Sequence, residues 1–174
     1  MPNVVVTADD ISLDRLMAPA DRDRLNAVAN TTWATTLGKA SEEEYAKVLS
    51  DASADIILSG WGAPRLTRAV MQRNPQLKAM IHLTGQLKNH VDRQCLEDGL
   101  VVTNWGDVPA LSVAEATLMM TLASLRRACY WCDQLHHHGA WRGASLDAEN
   151  RWAPQGLFDR TLGLYGFGLI APAP

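Results

Sequence analysis

Apolar residues in this chain gather into short runs, separated by polar helical stretches and punctuated by glycine and proline. Residues 3–7, Asn-Val-Val-Val-Thr, are β-branched and bounded by polar positions, the pattern of a buried strand. Residues 55–58, Asp-Ile-Ile-Leu, form a second such run and end in Ser59-Gly60-Trp61-Gly62. Residues 78–83 and 100–103 predict a third and a fourth. Helical stretches lie between them: residues 21–29, 65–73 and 91–98, the last stopped by Gly99, a residue suited to a left-handed cap. Another helix is predicted from Ser41 to about residue 50. Ser41 and Glu44 stand three apart, so hydroxyl and carboxylate can satisfy each other's free amides in a capping box.

Strands alternating with helices at this spacing predict a parallel sheet covered on both faces. Residues 1–103 are thus expected to be one flavodoxin-like α/β unit. Residues 104–111 carry Gly106 and Pro109 and read as a loop. Ser112-Val-Ala-Glu115 has the spacing of a second capping box and predicts the longest helix, over residues 113–138, closed by Gly139. Its first turns are rich in Ala, Leu and Met on nearly every side, the composition of a helix buried between two bodies. Residues 104–139 therefore form a linker. Residues 140–160 show no periodicity and read as a connecting loop, and 161–165 as a fresh strand entering Gly166-Phe167-Gly168-Leu169-Ile170-Ala171.

Composition narrows the choices only slightly. The chain has 174 residues, 47% hydrophobic and 20% charged, with a net charge of −3. That balance suits a globular fold and, with no basic stripe, makes nucleic acid or an anionic membrane a poor partner. No apolar run reaches the length of a spanning helix, and no basic stretch precedes an apolar one at the N-terminus. Cys95, Cys129 and Cys132 are odd in number, which points to free thiols and a reducing compartment, the cytoplasm by default.

The glycine turn carries the sharpest chemistry. A dinucleotide's pyrophosphate rests on unpaired amides at a helix N-terminus. Gly166 would permit the tight turn, Gly168 the close approach of phosphate, and Ala171 the packing of helix on strand. The motif follows an apolar run, as that role requires. Pro172 and Pro174 lie where the helix should continue, and proline inside a helix costs on the order of 3 kcal/mol.

Four passages, in order, carry a resemblance: Ala54-Asp-Ile-Ile-Leu-Ser-Gly-Trp-Gly62, Pro75-Gln-Leu-Lys-Ala-Met-Ile-His-Leu-Thr-Gly85, Ser112-Val-Ala-Glu115, and Thr161-Leu-Gly-Leu-Tyr-Gly-Phe-Gly-Leu-Ile170. Together they resemble the D-isomer-specific 2-hydroxyacid dehydrogenases, which include phosphoglycerate and glycerate dehydrogenases. The resemblance implies a substrate domain, a long linker helix and the first strand of a truncated Rossmann domain over residues 140–174. It implies hydride transfer between a 2-hydroxy or 2-oxo acid and NAD or NADP, and a homodimer in the full-length form.

By the same resemblance, Gly166, Gly168, Leu169, Ile170 and Ala171 occupy the cofactor positions, although the family often has Arg where Leu169 stands. The loop after the third strand would offer the amides of Gln86 and Leu87 to the substrate carboxylate, where the commoner pattern has glycine in place of Leu87. The family's catalytic Arg, Glu and His fall beyond the glycine turn, so no catalytic residue is assigned and the chain is expected to be incomplete and inactive alone. The alternative expectation is a non-catalytic dimerisation or small-acid-binding module. A truncation product poorly ordered after about Arg142 is the third.

Other features have plainer readings. His136, His137 and His138 are adjacent on a helix and point about 100° apart, so they cannot converge on one metal. Cys129 and Cys132 have redox-motif spacing but fall inside the predicted helix, so core packing is expected of them. His82 is expected to be a hydrogen-bonded structural residue, and His90 to be exposed at the loop edge. Asp9-Asp10 follows a strand as the acidic pair of a phospho-receiver does, but the strand at 55–58 ends in Ser-Gly and supplies no phosphoacceptor. The tryptophans read as core and interface anchors.

Overall fold

A computed structural model of the chain describes residues 1–139, 155–168, 170 and 171. It divides into two units, Met1–Gly106 and Asp107–Pro174. The first contains β1 (Asn3–Val6), α1 (Asp10–Leu16), α2 (Pro19–Val28), β2 (Asn30–Trp33), α3 (Glu42–Asp51), β3 (Ile56–Ser59), α4 (Arg68–Gln72), β4 (Ala79–His82), α5 (Arg93–Glu97) and β5 (Val101–Thr103). The five strands are all parallel, in the order β2-β1-β3-β4-β5. That is the doubly wound, flavodoxin-like arrangement the alternation predicts.

Period-2 alternation sorts the strand side chains onto two faces. Val5, Ile57 and Met80 are fully buried on one, with Tyr45 and Leu49 of α3, Val70 of α4 and Cys95 of α5. Val4, Val6 and Leu58 face the other way and pack on Leu13 of α1 and Ala29. That second layer covers only part of the sheet, because Ile81 and Val101 remain exposed.

Local signals account for most boundaries. Ser41 and Glu44 form the capping box: Ser41 N–H donates to Glu44 Oε2 at 2.8 Å and Glu44 N–H to Ser41 Oγ at 3.3 Å. Gly99 has φ +99° and stops α5. Two elements of the first unit have no counterpart in the sequence expectation. α1 is capped by Asp9, whose carboxylate accepts from Ser12 N–H at 2.6 Å. β2 is Asn-Thr-Thr-Trp, an edge strand with no apolar run. Its register on β1 pairs Asn3 with Asn30, whose side-chain amides also hydrogen bond at 3.1 Å.

Within the second unit, α6 (Ala110–Leu125) and α7 (Ala128–His138) replace the single long helix expected over 113–138. Arg127 adopts φ +55° and interrupts it. The second capping box is also absent. α6 starts at Ala110 after Pro109 and has no side-chain cap, so Ser112 lies inside the first turn. Leu118, Met119 and Met120 of α6 are exposed in the single chain, and so are Cys129 and Cys132 of α7, contrary to the core positions expected of them. Gly139 closes α7 with φ +59°, as read. Residues 161–165 pair with no strand. An isolated strand leaves its backbone groups unpaired, and the five apolar or small positions there are exposed instead. Much of the loop read over 140–160, Pro172 and Pro174 lie outside the described residues.

A left-handed Arg127 has a testable consequence, because glycine adopts φ > 0 at no steric cost while alanine pays about 1 kcal/mol there. Arg127→Gly is expected to leave α7 more stable than Arg127→Ala by about 1 kcal/mol, read from amide exchange across the helix. A continuous helix would reverse the order by a similar amount.

Candidate functional site

In an open parallel sheet, the strands' carboxyl ends and the loops leaving them form the ligand-binding edge. Here that edge is built from Ala8-Asp9 after β1, Gly60-Trp61-Gly62 after β3, Leu83 to Leu87 after β4, and Asn104-Trp105 after β5.

The β4 loop is held from both sides. Asn104 Nδ2 donates to the Gly85 carbonyl, and Trp105 N–H reaches the Thr84 carbonyl at 3.4 Å. The Trp105 indole lies so close to Gly85 that a Cβ there would come within 2.5 Å of Nε1. Only glycine fits. Farther along, Leu87 turns its side chain into the main core, while its carbonyl accepts from the N–H groups of His90 (2.8 Å) and Val91 (3.2 Å). The turn is thereby pinned at both ends. Among the described residues, no protein acceptor takes the backbone N–H of Gln86 or Leu87. Gln86 is exposed and Leu87 half-buried, and exposed Lys88 follows. Two adjacent unpaired amides beside a cation suit a carboxylate.

Beneath the loop lies a polar chain. His82, the last residue of β4, is buried, with Nδ1 hydrogen bonded to Ser59 Oγ at 2.8 Å and Nε2 to Thr84 Oγ1. Burial, and then the neighbouring His90, push its pKa down to about 4. A neutral ring with both nitrogens engaged is a structural strut, as the sequence indicates, and has no free site for proton transfer. His90 departs from the sequence reading. It is half-buried, with its ring 4.4 Å from that of His82 and tilted by 35°, and its Nδ1 is buried without a partner among the described residues. Burial lowers its pKa too.

The opposite wall is aromatic. Trp61 and Trp105 meet edge to face, with centroids 6.1 Å apart at 86°. Neither is a core residue: Trp61 is 45% exposed and Trp105 half-buried. Trp61 is fixed through its carbonyl, which accepts from Ser12 Oγ at 3.3 Å and Asp9 N–H at 3.4 Å. Asp9 is thus a cap and a brace, its carboxyl held below the usual range chiefly by the Ser12 amide. Asn104, Trp105, Trp61 and Thr84 were not singled out as site residues from the sequence. Their one signal is position, directly after strands at the carboxyl edge.

The glycine turn is built differently from its expectation. Gly166 has φ +93°, and nothing lies within 4 Å of a Cβ placed on Gly166 or Gly168. Gly166, Gly168, Ile170 and Ala171 line a mostly apolar groove of about 560 Å³ with Thr117, Leu118 and Thr121 of α6. Leu169 lies outside the described residues. No strand precedes the turn and no helix follows it among the described residues, so the helix-terminal amides that would cradle a pyrophosphate are not assembled. Among the described residues no cluster of three or more metal-ligating side chains occurs, and no helix is long and apolar enough to cross a membrane.

The buried histidine carries a pH signature. The folded pKa of His82, about 4, lies below its ordinary 6.5, so the unfolded chain binds more protons between those values. Its stabilising contribution is complete above 6.5 and is lost as pH falls towards 4. His82→Gln is expected to remove about 3 kcal/mol of that pH-dependent change in unfolding free energy, read by urea denaturation across the window. An unchanged slope would contradict the assignment.

No protein-family model matches the chain. A D-3-phosphoglycerate dehydrogenase of Methanocaldococcus jannaschii is 30% identical over 147 residues, which are 84% of this chain and 25% of that protein. Among solved structures, a 2-hydroxyacid dehydrogenase from Ketogulonicigenium vulgare Y25 superposes with a TM-score of 0.68 at 22% identity, over 98% of this chain and 49% of that one. An NADPH-dependent glyoxylate/hydroxypyruvate reductase from Sinorhizobium meliloti, solved with citrate, gives 0.66 at 23% identity and the same coverage. At these identities the structural likeness speaks for the fold. The chain thus spans a quarter of the curated relative and about half of each structural one. Over the part of those proteins that it spans, the chain is similar in sequence and in fold to D-isomer-specific 2-hydroxyacid dehydrogenases.

Proposed function

We propose that this chain supplies the substrate-carboxylate site of an NAD(P)-dependent oxidoreductase that acts on the CH–OH group of a 2-hydroxy acid. The observation that supports this reading is the pair of amides at Gln86 and Leu87, which have no acceptor among the described residues and follow directly on the Asn104 and Trp105 clamp. Amide hydrogen bonds to an anion are each worth about 1.5–3 kcal/mol, enough to orient a small acid at the sheet edge. On this proposal residues 1–103 form the substrate domain, 104–139 the linker and 140–174 the start of the cofactor-binding domain. Gly166, Gly168, Leu169, Ile170 and Ala171 are proposed as its NAD or NADP positions. Because the described residues do not assemble that cradle, no step of hydride transfer is assigned to them. What this chain does is bind and orient the acid.

A second role rests on a separate observation. Leu118, Met119 and Met120 expose apolar surface along one stretch of α6, and burying such surface yields about 25 cal/mol per Å². We infer a homodimer that covers it, in a cytoplasmic protein. The same acid-binding, self-associating unit could act without catalysis, which a complete absence of turnover in the full-length protein would favour.

Removing one amide tests the carboxylate site. Leu87→Pro deletes that N–H, and its affinity for pyruvate or glyoxylate, measured by calorimetry, is expected to fall roughly tenfold to a hundredfold. Unaltered affinity would sink the assignment. For the dimer, Met119→Lys is expected to shift the mass seen by light scattering from dimer to monomer; a mass unaffected by the substitution would count against it.

A further inference from the structure

Cys129 and Cys132 stand three residues apart, and the break at Arg127 changes what that spacing means. In an unbroken helix both would lie well past the N-terminus. In the structure α7 begins at Ala128, so Cys129 is its second residue and Cys132 its fifth. Both are exposed, whereas Cys95 is buried and its thiol pushed up by that burial. Residues at i and i+3 share one helix face, so Cys129 and Cys132 lie on the same face of α7. The Cβ atoms of such a pair are about 5–6 Å apart and must draw in by roughly 1–2 Å to reach disulfide geometry. The first turn of a helix, with fewer backbone bonds to break, is where that adjustment is cheapest.

We propose that Cys129 and Cys132 form a reversible dithiol–disulfide site, oxidised by exchange with a low-molecular-weight disulfide of the glutathione type. The Cys129 thiolate attacks one sulfur of the small disulfide; a mixed disulfide forms and one small thiolate leaves. The Cys132 thiolate then attacks the Cys129 sulfur, the internal bond forms, and the second small thiolate leaves. The protein pair gives up two electrons and two protons, and the small disulfide becomes two thiols. Cys129 is assigned the first attack because it stands nearer the N-terminus of α7, where the helix dipole favours a sulfur anion. Cys132 resolves the mixed disulfide.

The test uses the full chain in buffers of varied reduced and oxidised glutathione, quenched by alkylation and mapped by mass spectrometry. The peptide holding both cysteines is expected to lose two hydrogens as the buffer becomes oxidising, while Cys95 alkylates fully after unfolding. Cys132→Ser is expected to trap a stable glutathione adduct on Cys129, at least about threefold faster than Cys129→Ser traps one on Cys132. Two independent adducts in the unaltered chain, disulfides between chains, or equal trapping rates would each overturn the proposal.

Discussion

The contact between the Trp105 indole and Gly85 constrains everything around the carboxyl edge of the sheet. With no room for a side chain at position 85, the backbone leaves β4 pressed against β5's exit. Asn104 then takes the Gly85 carbonyl, tying the loop after β4 to the loop after β5. The Leu87 side chain anchors the far end in the core. The loop is tethered at both ends through the Thr84, Gly85 and Leu87 carbonyls, and among the described residues its Gln86 and Leu87 amides have no protein acceptor. The glycine commoner in the family at position 87 is therefore not needed for a close backbone approach here, because the apolar side chain points away from the edge and does the anchoring.

The polar chain below explains why the loop can be rigid without a large core of its own. Buried hydroxyls and imidazoles are stabilising only when satisfied. Ser59, His82 and Thr84 satisfy one another across the ends of β3 and β4. His90 closes over the imidazole and ties the loop back to the strand it came from. Its unpartnered Nδ1 is the one imperfect member. The depressed pKa values of both rings express the same burial, and they keep positive charge out of the layer beneath the loop.

Legibility followed burial. β1, β3, β4 and β5 were readable because central parallel strands are continuous apolar runs bounded by turn residues. β2 was not, since an edge strand of Asn, Thr and Trp is specified by its pairing with β1 and not by its own hydrophobicity. α1 is only seven residues long, and its cap, Asp9, reads equally as half of an acidic pair after β1. The break at Arg127 has no sequence signature at all. Arginine is a good helix former, and a left-handed arginine is a product of tertiary context. The candidate site divides the same way: Gln86 and Leu87 were legible through the loop that carries them, whereas Asn104 and Trp105 act through a contact 19 residues or more away in sequence. The glycine turn was legible as a motif, yet its structural setting among the described residues is not the strand and helix that the motif requires.

A crystal structure of the chain grown with a small 2-oxo acid such as glyoxylate would test the central claim most directly. The account predicts a carboxylate at the carboxyl edge of the sheet, its oxygens within hydrogen-bonding distance of the Gln86 and Leu87 amides and its carbon chain against the Trp61–Trp105 wall. An acid bound elsewhere, with those two amides left to solvent, would contradict it.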